Sequence, residues 1–194
     1  MFEHGEGAVL RIYREGEPCD PEREAAVMRR AEAAGVPVPR VLEVQRDGLV
    51  LERIEGPTML EEIERQPWRF AARARELGRL HRRVLDAGLV HRDFHPLNIL
   101  LAEHGPVVID WSNGGEGPPA EDVAFSQVIL ATSDADFPAW LEWIARVVRR
   151  RFVAAYLDGV GMRPPANLIE EAAKRRLRDP HLRERERESV RELL

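Results

Sequence analysis

Lysine is almost absent from this chain. Of 29 basic residues only Lys174 is a lysine, so any cation in the N-terminal half is an arginine or a protonated histidine. Cysteine is as scarce: Cys19 stands alone, which excludes an intrachain disulfide and suits a reducing cytoplasm. The longest strongly apolar stretch, Val123 to Ala131, falls well short of the ~20 residues needed to cross a bilayer, so no membrane association is expected. Met1-Phe2-Glu3-His4-Gly5 is neither basic nor followed by an apolar run, and no secretory signal is expected. A formal net charge of -5 argues against a general nucleic-acid binder, which needs a basic surface to displace counterions. What remains, 44% hydrophobic and 32% charged over 194 residues, is enough for one good core or two small lobes sharing one.

Patterning divides the chain near Glu55-Gly56-Pro57. Before it, Ala8 to Tyr13 reads as a strand. Asp20-Pro21 opens a helix that stops at Gly35, and Val36-Pro37-Val38-Pro39 must be extended. Val41 to Arg46 and Leu49 to Ile54 flank Asp47-Gly48, a hairpin signal. After the break, helices are expected over Met59–Gln66 and about Pro67–Ala87. Two short strands, Ile99–Leu101 and Val107–Ile109, are expected to meet at a Gly105-Pro106 turn. Further helices begin at Asp122 and at Asp136/Pro138, the latter with Trp140, Trp143, Ile144, Val147 and Val148 on its apolar face. These aromatics and Tyr156 suit either core packing or an acceptor pocket. The stretch Glu170–Leu194 carries eight basic and seven acidic residues and reads as a solvated helix or helix pair.

The chemistry concentrates in His91-Arg92-Asp93-Phe94-His95-Pro96-Leu97-Asn98, with Asp110 twelve residues after Asn98. The spacing matches the H-R-D-x-x-x-x-N loop and later metal-binding Asp of kinases. Asp93 suits a carboxylate that orients a hydroxyl and takes its proton. Asn98 and Asp110 offer hard oxygen ligands for magnesium. A tight hairpin between them would bring both to one end. A zinc reading of His91, Asp93 and His95 is also open, since alternating residues of an extended segment share a face, but it leaves Asn98 and Asp110 unexplained.

These residues, with Val108-Ile109-Asp110-Trp111, Val36-Pro37-Val38-Pro39, Leu51-Glu52-Arg53-Ile54-Glu55-Gly56 and Asp122-Val123-Ala124, resemble the aminoglycoside phosphotransferase and choline kinase family over residues ~8 to ~130. The resemblance implies an α+β, protein-kinase-like bilobal fold. Residues 1–54 would form a reduced nucleotide-binding lobe and residues 55–194 a mostly helical catalytic lobe. It implies ATP and Mg2+ as cofactors, Asp93 as base, and Asn98 and Asp110 as metal ligands. It also implies the Glu52 to Ile54 backbone as the adenine hinge, and Asp122 as a buried Asp steadying the catalytic loop. Arg11 takes the place of the family's phosphate-binding Lys, with Glu24 as its partner. Gly5-Glu6-Gly7 lies too close to Arg11 for a phosphate-covering loop and reads as a simple turn. Eleven residues between Asp110 and Asp122 leave no room for a long activation loop. The expected activity is transfer of the γ-phosphate of ATP to a hydroxyl of a small molecule. Two alternatives are a compact atypical protein kinase and a degenerate binding module without turnover.

Overall fold

The computed structural model describes residues 2–3, 7–13, 20–133, 142–180 and 182–194. Its architecture is α+β, as the sequence implies. A four-stranded antiparallel sheet has the order β1-β2-β4-β3, from β1 (Phe2–Glu3), β2 (Ala8–Ile12), β3 (Val41–Gln45) and β4 (Gly48–Glu52). β1 was not expected; it pairs Phe2 with Leu10 and Glu3 with Val9. Helix α1 (Pro21–Ala33) follows β2. The Asp20 carboxylate accepts from the Arg23 N–H at 2.9 Å, and Pro21 begins the first turn where no N–H is needed.

Helix α2 (Met59–Arg65) is closed by a capping box between Thr58 and Glu61. A single 3-10 turn, Pro67–Arg69, leads into α3 (Phe70–Asp86). The β-hairpin of β5 (Ile99–Ala102) and β6 (Gly105–Val108) comes next. Then follow α4 (Pro119–Thr132), α5 (Glu142–Val160), α6 (Ala166–Arg176) and α7 (Glu184–Arg191). One core joins α1 (Ala25, Met28), β4 (Leu49, Leu51), α3 (Leu77, Leu80, Val84), Trp111 and α5 (Tyr156, Val160). A smaller core packs α4 against α6 and α7 through Val128, Ala173 and Val190.

Three local readings change. The first hairpin turns at Arg46-Asp47, not Asp47-Gly48: Gln45 pairs with Gly48, which is already in the strand. Glycine is required there for space, since a Cβ would lie 2.3 Å from the Arg11 carbonyl oxygen. The second hairpin likewise turns at Glu103-His104, because Ala102 pairs with Gly105. The stripe Trp143, Ile144, Val147, Val148 faces outward, Trp143 being 67% exposed. The buried face of α5 is instead Ala155, Tyr156 and Val160. Close approach to α3 chooses that face: a Cβ on Gly78 would sit 2.2 Å from the Tyr156 carbonyl oxygen, and one on Gly159 2.3 Å from that of Arg75. Cys19, Asp136, Pro138, Trp140 and the Gly5-Glu6 part of the expected turn lie outside the described residues.

Candidate active site

The catalytic-loop sequence folds around a buried carboxylate. Asp122, near the start of α4 and 3% exposed, accepts the His91 N–H on Oδ2 and the Arg92 N–H on Oδ1, both at 2.7 Å. His81 of α3 points Nε2 at the same carboxylate, 3.0 Å away, and Nδ1 at the Tyr156 hydroxyl, 2.6 Å away. Burial works against the Asp122 charge, but His81 and the two N–H donors outweigh it and hold its pKa below the ordinary range. An ionised carboxylate only accepts, so His81 donates from Nε2 and, when neutral, accepts the Tyr156 proton on Nδ1. Burial pushes the Tyr156 pKa well up, which keeps that proton in place. The two N–H bonds fix Arg92 at φ 63°, a conformation that side chains rarely adopt.

That turn delivers Asp93. Its Oδ2 accepts from Asn98 Nδ2 at 3.2 Å, and Oδ1 lies 3.3 Å from His95 Nε2. Burial raises the Asp93 pKa, but His95 and Asn98 together draw it below the usual carboxylate range, so the group is ionised at neutral pH. Asn98 also donates from Nδ2 to the Asp93 carbonyl at 2.8 Å. Its Oδ1 accepts no hydrogen bond among the described residues.

The hairpin does what its spacing implied. Ile109 N–H donates to the Asn98 carbonyl at 3.0 Å, placing Asp110 beside Asn98 at the same end of β5 and β6. Asp110 takes φ 62°. Its Oδ1 accepts from Arg11 Nη2 at 2.7 Å and Ser112 Oγ at 2.8 Å, while Oδ2 has no donor among the described residues. Burial alone would raise the Asp110 pKa; the Arg11 charge and these bonds keep it low. His91 Nε2 donates to the Ile109 carbonyl at 3.0 Å, and burial lowers the pKa of this ring, keeping it neutral.

Arg11 meets Glu24 as expected, Nη1 to Oε1 at 3.3 Å, and reaches Asp110 as well. Glu24 is 3% exposed and also accepts the Tyr13 hydroxyl. Burial raises its pKa more than Arg11 and Tyr13 lower it. These groups open on a cavity of about 270 Å³ lined by Arg11, Glu24, Met28, Leu51, Glu52, Ile54 and Asp110. The Glu52 side chain is bound by Arg40, whose Nε–H donates to Oε2 at 3.1 Å. The Glu52 and Arg53 N–H groups are used by the Arg40 and Gly7 carbonyls, both at 2.9 Å; that of Ile54 has no acceptor among the described residues. Asp93 and Asn98 are not among the cavity's lining residues, and join it through Asp110.

No group of three or more His, Cys, Asp or Glu suited to a metal occurs among the described residues, which disfavours the zinc reading. Asn98 Oδ1 and Asp110 Oδ2 do fit magnesium, which takes few protein ligands and completes its shell with phosphate oxygens and water. The profile of the phosphotransferase enzyme family matches residues 51–168, more than half of the chain. The chain belongs to this family. The match begins within β4, so Arg11 and Glu24 precede it. Curated relatives match as well, one of them over more of the chain. The probable serine/threonine-protein kinase BUD32 homolog of Archaeoglobus fulgidus is 28% identical over 78% of this chain and 73% of its own length. The KEOPS complex subunit Bud32 of Pyrococcus abyssi is 38% identical over 46% of this chain and 42% of its own. The RIO-type serine/threonine-protein kinase Rio1 of Haloferax volcanii is 33% identical over 55% and 35%. The fold is thus protein-kinase-like.

Sequence reasoning missed the His81–Asp122–Tyr156 chain. His81 lies on the apolar stripe of α3, and only its burial among polar partners sets it apart. No helix among the described residues is long and apolar enough to cross a membrane.

Proposed function

We propose that the protein transfers the γ-phosphate of Mg-ATP to a hydroxyl. The observation that carries this reading is the end of the β5–β6 hairpin, where two oxygens without donors among the described residues, Asn98 Oδ1 and Asp110 Oδ2, stand beside an ionised Asp93. Asp93 orients the acceptor hydroxyl and takes its proton, and its low pKa suits a transition state in which little proton transfer is needed before the phosphoryl group moves. Asn98 and Asp110 hold the metal, which when bound neutralises phosphate charge. Arg11 directs its remaining N–H groups to the phosphates, and the Ile54 N–H meets the nucleobase. On this reading residues 1–54 form the nucleotide lobe and 55–194 the catalytic lobe.

The acceptor is the point at which the small-molecule expectation gives ground. Relatives whose names say serine/threonine-protein kinase favour a protein hydroxyl, as does Leu97, one residue before Asn98, which is 50% exposed. A small-molecule acceptor remains the second reading, supported by the family match itself. The KEOPS subunits among the relatives favour a place in a protein assembly, and a relative named for tRNA threonylcarbamoyladenosine biosynthesis favours a process that concerns RNA without requiring this chain to bind it. Calorimetric titration with ATP tests the core of the reading. Saturable binding is expected with magnesium, weakened by omitting the metal or by Asp110→Asn. No binding at millimolar ATP would contradict it.

A further inference from the structure

A second cavity, of about 420 Å³, lies between α1 and the loop that follows Asp110. Its walls carry Arg23 and Arg30 from α1, Arg92 from the catalytic loop and Glu116 from the facing loop, over an apolar floor of Val27 and Leu89. The ATP-site reading uses none of the Arg23, Arg30 and Glu116 side chains. Three guanidiniums face one carboxylate, which leaves a surplus of two positive charges.

Arg92 and Arg23 are held in place by neutral partners. Arg92 donates from Nη1 to the Asn113 carbonyl at 2.8 Å and from Nη2 to that of Glu116 at 2.6 Å. Arg23 Nη2 donates to the Gly114 carbonyl at 2.6 Å. Arg23 Nη2 and Arg92 Nη1 each lie 3.3 Å from where a Cβ would stand on Gly115, so both guanidiniums crowd the same peptide. The loop is itself tied down, since Val90 and Gly115 exchange N–H to carbonyl bonds at 2.8 and 3.0 Å. Among the described residues Arg30 is the one of the three with a charged partner, the Glu116 carboxylate, and both are solvent-exposed. Most guanidinium N–H groups in the cavity therefore have no acceptor among the described residues, and Arg23 and Arg92 are already oriented by the loop carbonyls. Such pre-organisation lowers the cost of binding an oxyanion.

We propose that this cavity binds a phosphoryl dianion, inorganic phosphate or a phosphomonoester, between Arg23, Arg30 and Arg92, with Glu116 displaced from Arg30. The charge matches: a phosphomonoester carries about -1.5 to -2 at neutral pH and three acceptor oxygens. Arg92 and Arg23 directly precede Asp93 and Glu24 in the chain, so an occupant pulls on both halves of the ATP site from behind.

The test is calorimetric titration of the ATP-free protein with inorganic phosphate and, separately, O-phosphoserine, at ionic strength held constant with chloride. Saturable binding is expected. Arg23→Ala/Arg30→Ala should weaken it at least about tenfold, from the loss of two charge-assisted contacts. Glu116→Gln, which only removes the competing charge, should tighten it about two- to fivefold. Preference for O-phosphoserine would mean that the group arrives on an organic carrier, preference for phosphate that it arrives free. No saturable binding, or equal affinity in the double variant, would overturn the proposal; the latter would place the anion elsewhere, the ATP cavity included. ATP titration of the same variants reports separately on the catalytic reading.

Discussion

Removing the Asp122 carboxylate should disable the catalytic loop from beneath. Asp122→Ala leaves the buried His91 N–H and the part-buried Arg92 N–H without their 2.7 Å acceptors, and takes from His81 its partner at 3.0 Å. Two unsatisfied donors cost about 1–3 kcal/mol each, and breaking a buried charged pair about 3–5 kcal/mol; the same atoms are involved, so these overlap rather than add. A loss of about 3–5 kcal/mol follows, a large share of the ~5–15 kcal/mol that holds a domain folded. With a urea slope of about 2 kcal/mol/M the midpoint should fall by roughly 2 M. Asp122→Asn keeps the shape and one acceptor but sets an amide N–H against a donor, so it should fall between the alanine variant and the wild type. Activity should drop in both, because Arg92 loses what holds its positive φ and Asp93 follows it in the chain. A midpoint shift below about 0.3 M for Asp122→Ala, with unchanged slope, would refute the claim that this carboxylate organises the loop.

Other consequences concern charge. Burial lowers the His91 pKa, so below about pH 6.5 the unfolded chain gains a proton that the folded one refuses, and stability should decline by up to ~1.4 kcal/mol per pH unit from this group. Asp93, Asp110 and Asp122 have depressed pKa values; their contribution is complete above about pH 4 and is lost as pH falls further through their folded values. Melting temperature against pH should therefore show two descending limbs, and a flat profile between pH 7 and 5 would contradict the neutral buried His91. Arg11→Met strips the cation from Glu24 and Asp110. It should cost about 1–3 kcal/mol in urea unfolding, discounted for the 40% exposure of the Asp110 side chain, and weaken ATP binding; Arg11→Lys should recover part of both.

The parts of the fold legible in the sequence are those fixed by neighbours along the chain. The Asp20 cap and Pro21 start of α1 and the Thr58–Glu61 capping box depend on residues within a turn of each other. The candidate site was legible for the same reason: Asp93, Asn98 and Asp110 are set by one turn and one hairpin. Hairpin registers slipped because glycine has two uses. Gly48 and Gly105 read as turn residues, yet both sit in strands, Gly48 because the Arg11 carbonyl approaches too closely for a Cβ. The α5 face failed because that helix is apolar on more than one side, and which side is buried is decided by Gly78 and Gly159 across the α3 crossing. The arginine cavity escaped notice because Arg23, Arg30 and Arg92 come together only when α1 packs behind the catalytic loop.

The central claim is that phosphoryl transfer proceeds through Asp93, and radiolabel transfer from ATP tests it most directly. Wild type and Asp93→Asn are compared over a panel of candidate proteins and hydroxyl compounds, with ATP affinity measured on the same samples. The account predicts a fall of about 10²–10⁴-fold in turnover with nucleotide affinity little changed, since the variant removes the proton acceptor and leaves Asn98 and Asp110 in place. Equal turnover by the two proteins would contradict it, because the activity would then arise elsewhere than at the end of the β5–β6 hairpin.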